Sequence, residues 1–103
     1  MKLIIITAVK EYTEDVKEIL KNENITTFSY SEVTGYRDST LDDLENNWFG
    51  SEMNKSESVL FFAFVTNMAC KNVYETIREF NKNITVTSKI HMASVLLDKT
   101  NTI

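Results

Sequence analysis

The period of the hydrophobic pattern changes several times along the chain, and each change marks a predicted element. Residues 3–9 form an uninterrupted apolar run rich in isoleucine, which predicts a strand that is covered on both faces or central in a sheet. Apolar residues then recur at helical spacing, at Tyr12, Val16, Ile19 and Leu20. Thr13 is the predicted N-cap of this helix, and Asn24 is expected to end it in the left-handed conformation that glycine usually supplies.

A second set of periodic segments follows. Phe28 and Tyr30 alternate with serines, and this period of two over residues 25–33 predicts a half-exposed strand. The apolar run at residues 59–65 predicts a second buried strand. One face of a second helix, starting near Asn67, is marked by Cys70, Val73, Tyr74, Ile77 and Phe80.

The chain closes with a short alternating segment at residues 84–87 and a last strand at residues 90–97. The resulting order predicts an α+β fold over a single domain of residues 1–103, the ferredoxin-like βαββαβ sandwich. In that fold a four-stranded antiparallel sheet carries two helices on one face, and here a long insertion separates strands 2 and 3.

Both faces of the predicted sheet carry apolar side chains. Leu60, Phe62 and Phe64 share one face of their strand, while Phe28 and Tyr30 share a face of theirs. Two helices can cover only one side of such a sheet, and an uncovered apolar face usually marks a protein interface. Oligomerisation is therefore the simplest expectation.

The long insertion at residues 37–57 is the most unusual segment, because loops of this length in compact domains are usually functional. Residues 38–57 hold six acidic side chains against Lys55 alone, a local balance of -5, so the rest of the chain is about neutral. The spacing of Leu41, Leu44 and Trp48, before Gly50, predicts a short helix inside the loop.

The loop also holds candidate binding residues. Acidic residues in the first turn of the predicted helix, Asp42 and Asp43, are explained by the helix dipole, and the segment lacks the oxygen spacing of a calcium loop. Trp48 and Phe49 either pack back on the body or bind a partner, and the sequence leaves both open.

Composition and charge exclude several classes of protein. The chain has 103 residues, is 43% hydrophobic and has no proline, as expected for a folded domain. A net charge of -4 argues against general nucleic-acid binding. No apolar stretch is long enough to span a bilayer, and residues 3–9 are expected to be a strand rather than a signal peptide. A single cysteine suits a reducing compartment, so we expect a cytoplasmic protein.

Three positions offer candidate chemistry. His91, the sole histidine, has no nucleophile or carboxylate beside it in sequence, which favours a structural role and argues against an enzyme. Cys70 continues an apolar stripe, which favours a buried and inert thiol, although Cys70 and His91 are also the types of side chain that bind soft metals. Arg37, next to Tyr36 at the start of the loop, suits either an anionic ligand or a neighbouring acid.

Several short motifs, in order, resemble those of the PII signal-transduction proteins. The first strand and helix carry Lys10, the pair Asp15-Val16, Leu20 and the pair Asn24-Ile25. The second strand ends in Glu-Val-Thr-Gly-Tyr at residues 32–36, and Gly-Ser-Glu at residues 50–52 is similar to the Gly-Ala-Glu of the family. The segment between them corresponds to the family's T-loop. This resemblance implies a homotrimer with ligand clefts between subunits, T-loops that dock on target proteins, and a regulatory function.

The chain also departs from the family pattern. Trp48 stands where the family has the tyrosine that accepts a nucleotidyl group, so that modification cannot occur in the same way. Residues 81–88 lack the glycines of the phosphate-binding B-loop, and the two arginines that follow it are missing. Lys89 matches a phosphate-binding lysine of the family, and Lys99 is the nearest further cation. These departures argue against conventional ATP binding and leave the effector open.

The sequence thus predicts a trimeric PII-like regulator that binds a small effector between subunits and a target, for which the family suggests a transporter. The expected cleft residues are Gly35, Tyr36, Arg37, Lys89 and Lys99. The expected partner-binding residues of the loop are Asp42, Asp43, Glu45, Trp48, Phe49 and Glu52. The alternative is a metal-responsive trimer resembling the divalent-cation tolerance family, with His91 and Cys70 as candidate ligands.

Overall fold

The computed structural model describes residues 1–36, 55–85 and 88–101, which fold into four strands and two α-helices. The strands are β1 (Lys2–Val9), β2 (Ser29–Tyr36), β3 (Lys55–Val65) and β4 (His91–Leu96). A short 3₁₀ turn (Lys10–Tyr12) leads into α1 (Thr13–Asn22), and α2 (Asn67–Asn83) joins β3 to β4. The helix predicted inside the 37–57 loop lies outside the described residues, whereas residues 55–57 belong to β3.

The strands form one antiparallel sheet in the order β2-β3-β1-β4. β1 lies in the middle, where Lys2 pairs with Val65 of β3 and with Leu96 of β4. β2 and β4 are the two edge strands. This topology confirms the predicted ferredoxin-like α+β sandwich.

Both helices pack on the same face of the sheet. Alternate residues of β1 and β3 are buried there, among them Ile4, Ile6 and Phe61, and they share one core with buried residues of the two helices. The helices contribute Val16, Ile19, Leu20, Cys70, Val73 and Ile77. We call this the inner face of the sheet and the opposite side the outer face.

The helix ends follow local chemistry. Asn24 has a φ of 61°, and the amides of Asn24 and Ile25 donate to the carbonyls of Lys21 and Leu20 at 3.0 Å, so the predicted left-handed helix stop is confirmed. The prediction of Thr13 as N-cap is wrong, because the 3₁₀ turn precedes α1 and the Thr13 hydroxyl donates to the Lys10 carbonyl instead. α2 begins at Asn67 as predicted, with the Thr66 hydroxyl accepting from the Ala69 amide at 3.1 Å.

Several predicted strand features differ from the structure. β2 begins at Ser29 rather than at residue 25, because Ile25 is held in the core by the turn that ends α1. β1 is central in the sheet, which confirms the second of the two predicted alternatives for its apolar run. β3, predicted as a buried strand, is the other interior strand, and both are buried at alternate positions because the helices cover one face only. Ile84 and Thr85 lie outside any strand, and residues 86–87 lie outside the described part of the chain. No helix of the described residues is long and apolar enough to cross a membrane.

Candidate functional site

The outer face of the sheet is an uncovered apolar surface. Phe62, Phe64 and Val95 point to it and are 42%, 45% and 47% exposed. Leu3 lies between Phe64 and Val95 across three strands, and Ile5 lies between Phe62 and Ala93. The prediction that Leu60, Phe62 and Phe64 share a face is confirmed, because the residues that alternate with them are buried on the inner face. Such a surface is typical of a protein interface.

The end of the sheet where β2 and β3 lead into residues 37–54 is lined by small polar side chains. Gly35 pairs with Ser56, and a Cβ added at Gly35 would lie 2.7 Å from the Ser56 Oγ and 2.9 Å from the Ser58 Oγ. The two serine Oγ atoms are 3.1 Å apart. Glycine at this position therefore serves the close approach of the serines, within a strand that continues to the exposed Tyr36.

An ion pair joins the end of β1 to β2 near this loop end. The Lys10 Nζ lies 3.0 Å from the Glu32 Oε1, and both side chains are exposed. The hydrogen bond and the charge of Glu32, with a further contribution from the charge of Glu57, raise the pKa of Lys10 above its ordinary value. Both carboxylates belong to the strands that frame the loop, so this lysine balances part of the negative charge at its base.

We expect Lys10→Gln to change how stability depends on pH above pH 10. A raised pKa means that the folded state favours the protonated lysine, so this contribution is present below the ordinary lysine pKa of 10.5 and is lost as the pH rises through the raised value. The Tm of the unmodified chain should therefore fall slightly more steeply above pH 10.5 than that of Lys10→Gln. The control is Lys21→Gln, since Lys21 makes no ion pair with any described residue. If the Tm of Lys10→Gln and of the unmodified chain falls equally steeply with pH, the ion pair with Glu32 does not raise the pKa of Lys10 in the folded state.

The connection between α2 and β4 is closed by side-chain hydrogen bonds to the backbone. The Asn81 Nδ2 donates to the Ile90 carbonyl and the Asn81 Oδ1 accepts from the Ile90 amide, both at 2.9 Å. The Lys89 Nζ donates to the carbonyls of Asn81 at 3.0 Å and Ile84 at 3.3 Å. Lys89 thus satisfies carbonyls at the C-terminal end of α2, where a positive charge is favourable.

Asn81→Ala is expected to destabilise the fold by about 1–3 kcal/mol, because the backbone groups of the buried Ile90 lose both partners. Urea unfolding measures this loss. Asn72→Ala is the matched control, since Asn72 is also in α2 and its side chain makes no hydrogen bond with a described residue. A similar free energy of unfolding for the two variants would show that the hydrogen bonds between Asn81 and Ile90 contribute little to stability.

The predicted cleft residues are spread over the two edges of the sheet. Gly35 and Tyr36 end β2 at one edge, whereas Lys89 lies just before β4, separated from it by Ile90, at the other. Gly35, Tyr36 and Lys89 nevertheless lie at the same end of the sheet, the end where β1 finishes at Val9. His91 of β4 pairs with Thr7 near that end, and Val33 of β2 lies opposite Ser58, which itself pairs with Val9. Lys99 follows β4 at the opposite end. One chain does not bring these residues together, and Arg37 lies outside the described residues.

The two candidate metal ligands lie on different sides of the sheet. His91 is exposed at the start of β4 on the outer face, since its neighbour Met92 packs against the core on the inner face. Cys70 is buried in the inner-face core. The described residues contain no group of three or more His, Cys, Asp or Glu side chains that could hold a metal ion. The partner-binding residues Asp42, Asp43, Glu45, Trp48, Phe49 and Glu52 all lie outside the described part of the chain.

Sequence reasoning did not single out Asn81 or the pairing of Lys10 with Glu32. The Asn81 bonds reach across the connection to a residue nine positions away, and the ion pair joins two different elements, while asparagine at a helix end or lysine after a strand is too common to identify either interaction. Only the fold brings these partners together.

Comparison with solved structures places the chain in the PII-like class of folds. The matched structures include a PII-like signalling protein from Thermus thermophilus, with a TM-score of 0.62 and 10% sequence identity over 91% of this chain and 83% of that one. They also include CPII, a nitrogen regulatory PII-like protein from Thiomonas intermedia, with a TM-score of 0.62 and 10% identity over 96% and 93% of the two chains. The CPII structure holds ADP, AMP and bicarbonate. No protein-family model and no curated protein matches the sequence. The likeness establishes the fold.

Proposed function

We propose that this chain is a single-domain, cytoplasmic PII-like regulatory protein that acts as a homotrimer and not as an enzyme. It binds a small effector between subunits and a target protein, such as a transporter, through residues 37–57. The observation that carries the proposal is the PII-like fold together with the uncovered apolar outer face. A folded chain with this much exposed apolar surface is expected to bury it against other copies of itself.

The placement of the cleft residues supports a site between subunits. Gly35 and Tyr36 lie at the β2 edge, and Lys89 lies at the β4 edge at the same end of the sheet. When the β2 edge of one subunit approaches the β4 edge of the next, these residues share one cleft, and we assign Arg37 to the same cleft because it follows Tyr36 in the sequence. Lys99 lies at the opposite end of the sheet and is the least favoured member of the set.

The effector is proposed to be an anionic metabolite, and nucleotides and bicarbonate are the first to test because CPII holds ADP, AMP and bicarbonate. The Lys89 ammonium already binds two carbonyls, so a phosphate would compete with the helix end for it. We therefore expect weaker nucleotide binding than a free lysine in a glycine-rich loop would give.

Thermal denaturation with ATP, ADP, AMP, cyclic dinucleotides, bicarbonate and soft or divalent metals tests the effector. A ligand that binds the folded state only, at a hundred times its Kd, adds about 2.7 kcal/mol to stability. Stabilisation by a nucleotide or bicarbonate that is lost in Lys89→Gln supports the cleft, provided that Lys89→Gln without ligand remains folded. Stabilisation by metals alone would favour the metal-responsive alternative. If none of the nucleotides, bicarbonate or metals stabilises the protein, the effector belongs to none of these classes.

Trp48→Ala is expected to abolish capture of the target while leaving the trimer intact. A large aromatic residue in an acidic loop is the type of residue that dominates binding energy, often by more than about 2 kcal/mol. Cross-linking with identification of the bound protein measures capture, and light scattering measures the trimer. The matched control is Met68→Ala, an exposed apolar residue on α2. Undiminished capture by Trp48→Ala would exclude the aromatic residue as the contact.

A further inference from the structure

A cavity of about 270 Å³ lies between α2 and the edge strand β4 on the inner side of the sheet. Strands β1 and β4 contribute Lys2, Met92 and Ser94 to its wall, and α2 contributes Asn67, Cys70, Lys71 and Tyr74. The helix residues lie on one side of the first two turns of α2. The cavity is separate from residues 37–57 and from the proposed cleft, since it lies at the end of the sheet where β1 begins.

Two lysines without counter-charges line this cavity. In the described part of the chain, neither Lys2 nor Lys71 forms an ion pair, whereas Lys10, Lys17 and Lys82 each pair with a glutamate. The cavity wall contains no acidic side chain among the described residues. Two ammonium groups around one concave surface therefore create a local positive potential in a chain whose net charge is -4.

The start of α2 adds to this potential. Asn67 is the first residue of this seventeen-residue helix and lies in the wall of the cavity. The first amides of a helix have no partners within it and carry partial positive charge. Only the Ala69 and Cys70 amides of this turn have acceptors, namely the hydroxyl and the carbonyl of Thr66, among the described residues.

The inner part of the cavity is less polar. Cys70 is only 5% exposed, lines the cavity, and its thiol makes no hydrogen bond with any described residue. Met92, which packs against the core, and the ring of Tyr74 complete this wall. A weak donor and polarisable side chains favour a hydrocarbon group over a bare inorganic ion.

We propose that this cavity binds a small organic anion, either a carboxylate or a phosphate monoester. Its anionic oxygens pair with Lys2 and Lys71, and its short hydrocarbon part contacts Cys70 and Met92. Lysine ammonium groups bind such oxygens as point charges without requiring a planar ligand. Because the site lies on the opposite side of the sheet from the outer face, it does not depend on the proposed trimer or on the proposed effector cleft.

The test is an amide-shift titration of the full chain by NMR with succinate, glycerol 3-phosphate, inorganic phosphate and neutral glycerol at constant ionic strength. We expect succinate or glycerol 3-phosphate to shift the amides of residues 67–71 and of Ser94, and glycerol to have no effect. The double variant Lys2→Gln/Lys71→Gln should lose about tenfold or more in affinity, since it removes two charged contacts. The double variant Lys21→Gln/Lys82→Gln carries the same change in net charge at exposed positions and should bind normally.

The single cysteine supplies a second measurement that requires no substitution. The bound organic anion should slow the reaction of the Cys70 thiol with a thiol reagent, because the anion and the reagent compete for the cavity that Cys70 lines. Absence of shifts at residues 67–71 with both organic anions would overturn the proposal. Equal loss of binding in the two double variants, or binding of inorganic phosphate as tight as that of the organic anions, would also overturn it.

Discussion

Phe64→Asp is expected to convert the proposed trimer into a stable monomer. Phe64 lies on the outer face, where it pairs with Leu3 in the centre of the sheet, and a carboxylate there would be buried without a partner in every subunit of an assembly. An uncompensated buried charge costs several kcal/mol, and a symmetric trimer would bear that cost about three times. In the separate chain the same side chain is 45% exposed, so the fold itself should tolerate the carboxylate.

Light scattering coupled to size exclusion measures the result, a fall in mass from three chains to one of 11.9 kDa. Met68→Asp is the control, because Met68 is exposed on α2 and far from the outer face. Circular dichroism should show the same secondary structure for both variants. A wild-type chain that is already monomeric would contradict the proposed assembly, and a trimer that survives Phe64→Asp would place the interface elsewhere.

Phe61→Ala and Phe62→Ala, two adjacent substitutions, should have different effects. Phe61 is 1% exposed in the inner core, stacks on Tyr30 with 5.1 Å between ring centroids, and lies in a strand paired on both sides. Its loss should reduce the free energy of unfolding by about 3–5 kcal/mol, a large share of the roughly 5–15 kcal/mol that stabilises a domain. Phe62 points to the outer face, so its loss should weaken association and alter the stability of the isolated chain little.

Urea unfolding in the Phe64→Asp background separates these effects, because subunit association then no longer contributes to the measured stability. Dilution of the Phe62→Ala chain without the aspartate should reveal weaker association. Equal destabilisation of the monomer by both alanines would mean that the outer face is packed within the chain itself.

Local patterns in the sequence were sufficient to predict the order of the elements. The helix stop at Asn24 depends on residues within five positions, and the common face of Leu60, Phe62 and Phe64 follows from the strand period alone. The continuous apolar run of β1 predicted a strand that is covered on both faces or central in the sheet, and the structure shows the central position. The run alone could not distinguish these alternatives, because it looks the same whether the second face is covered by helices or by another subunit. Tyr74 lies at the margin of its helical stripe and is half exposed, which the spacing could not show.

The candidate sites were harder to predict than the fold, because their contacts cross turns or join different elements and leave no periodic pattern in the sequence. Lys89 was predicted as a ligand-binding residue, and the structure adds its hydrogen bonds to the end of α2. Its role in a cleft stays a prediction, as do the roles of Arg37 and of the loop residues. No local pattern predicts that Lys2 and Lys71 line the same cavity, since they lie about 69 positions apart in the sequence.

The central position of β1 has a consequence for biosynthesis. Lys2 pairs with Leu96, so β1 acquires its second neighbour only after β4, the strand made later in synthesis than the other three, is complete. Until then one edge of an isoleucine-rich strand remains unpaired, and unpaired apolar edges promote aggregation. Chains arrested before residue 91 should therefore depend on chaperones for solubility, whereas a chain that includes β4 closes that edge.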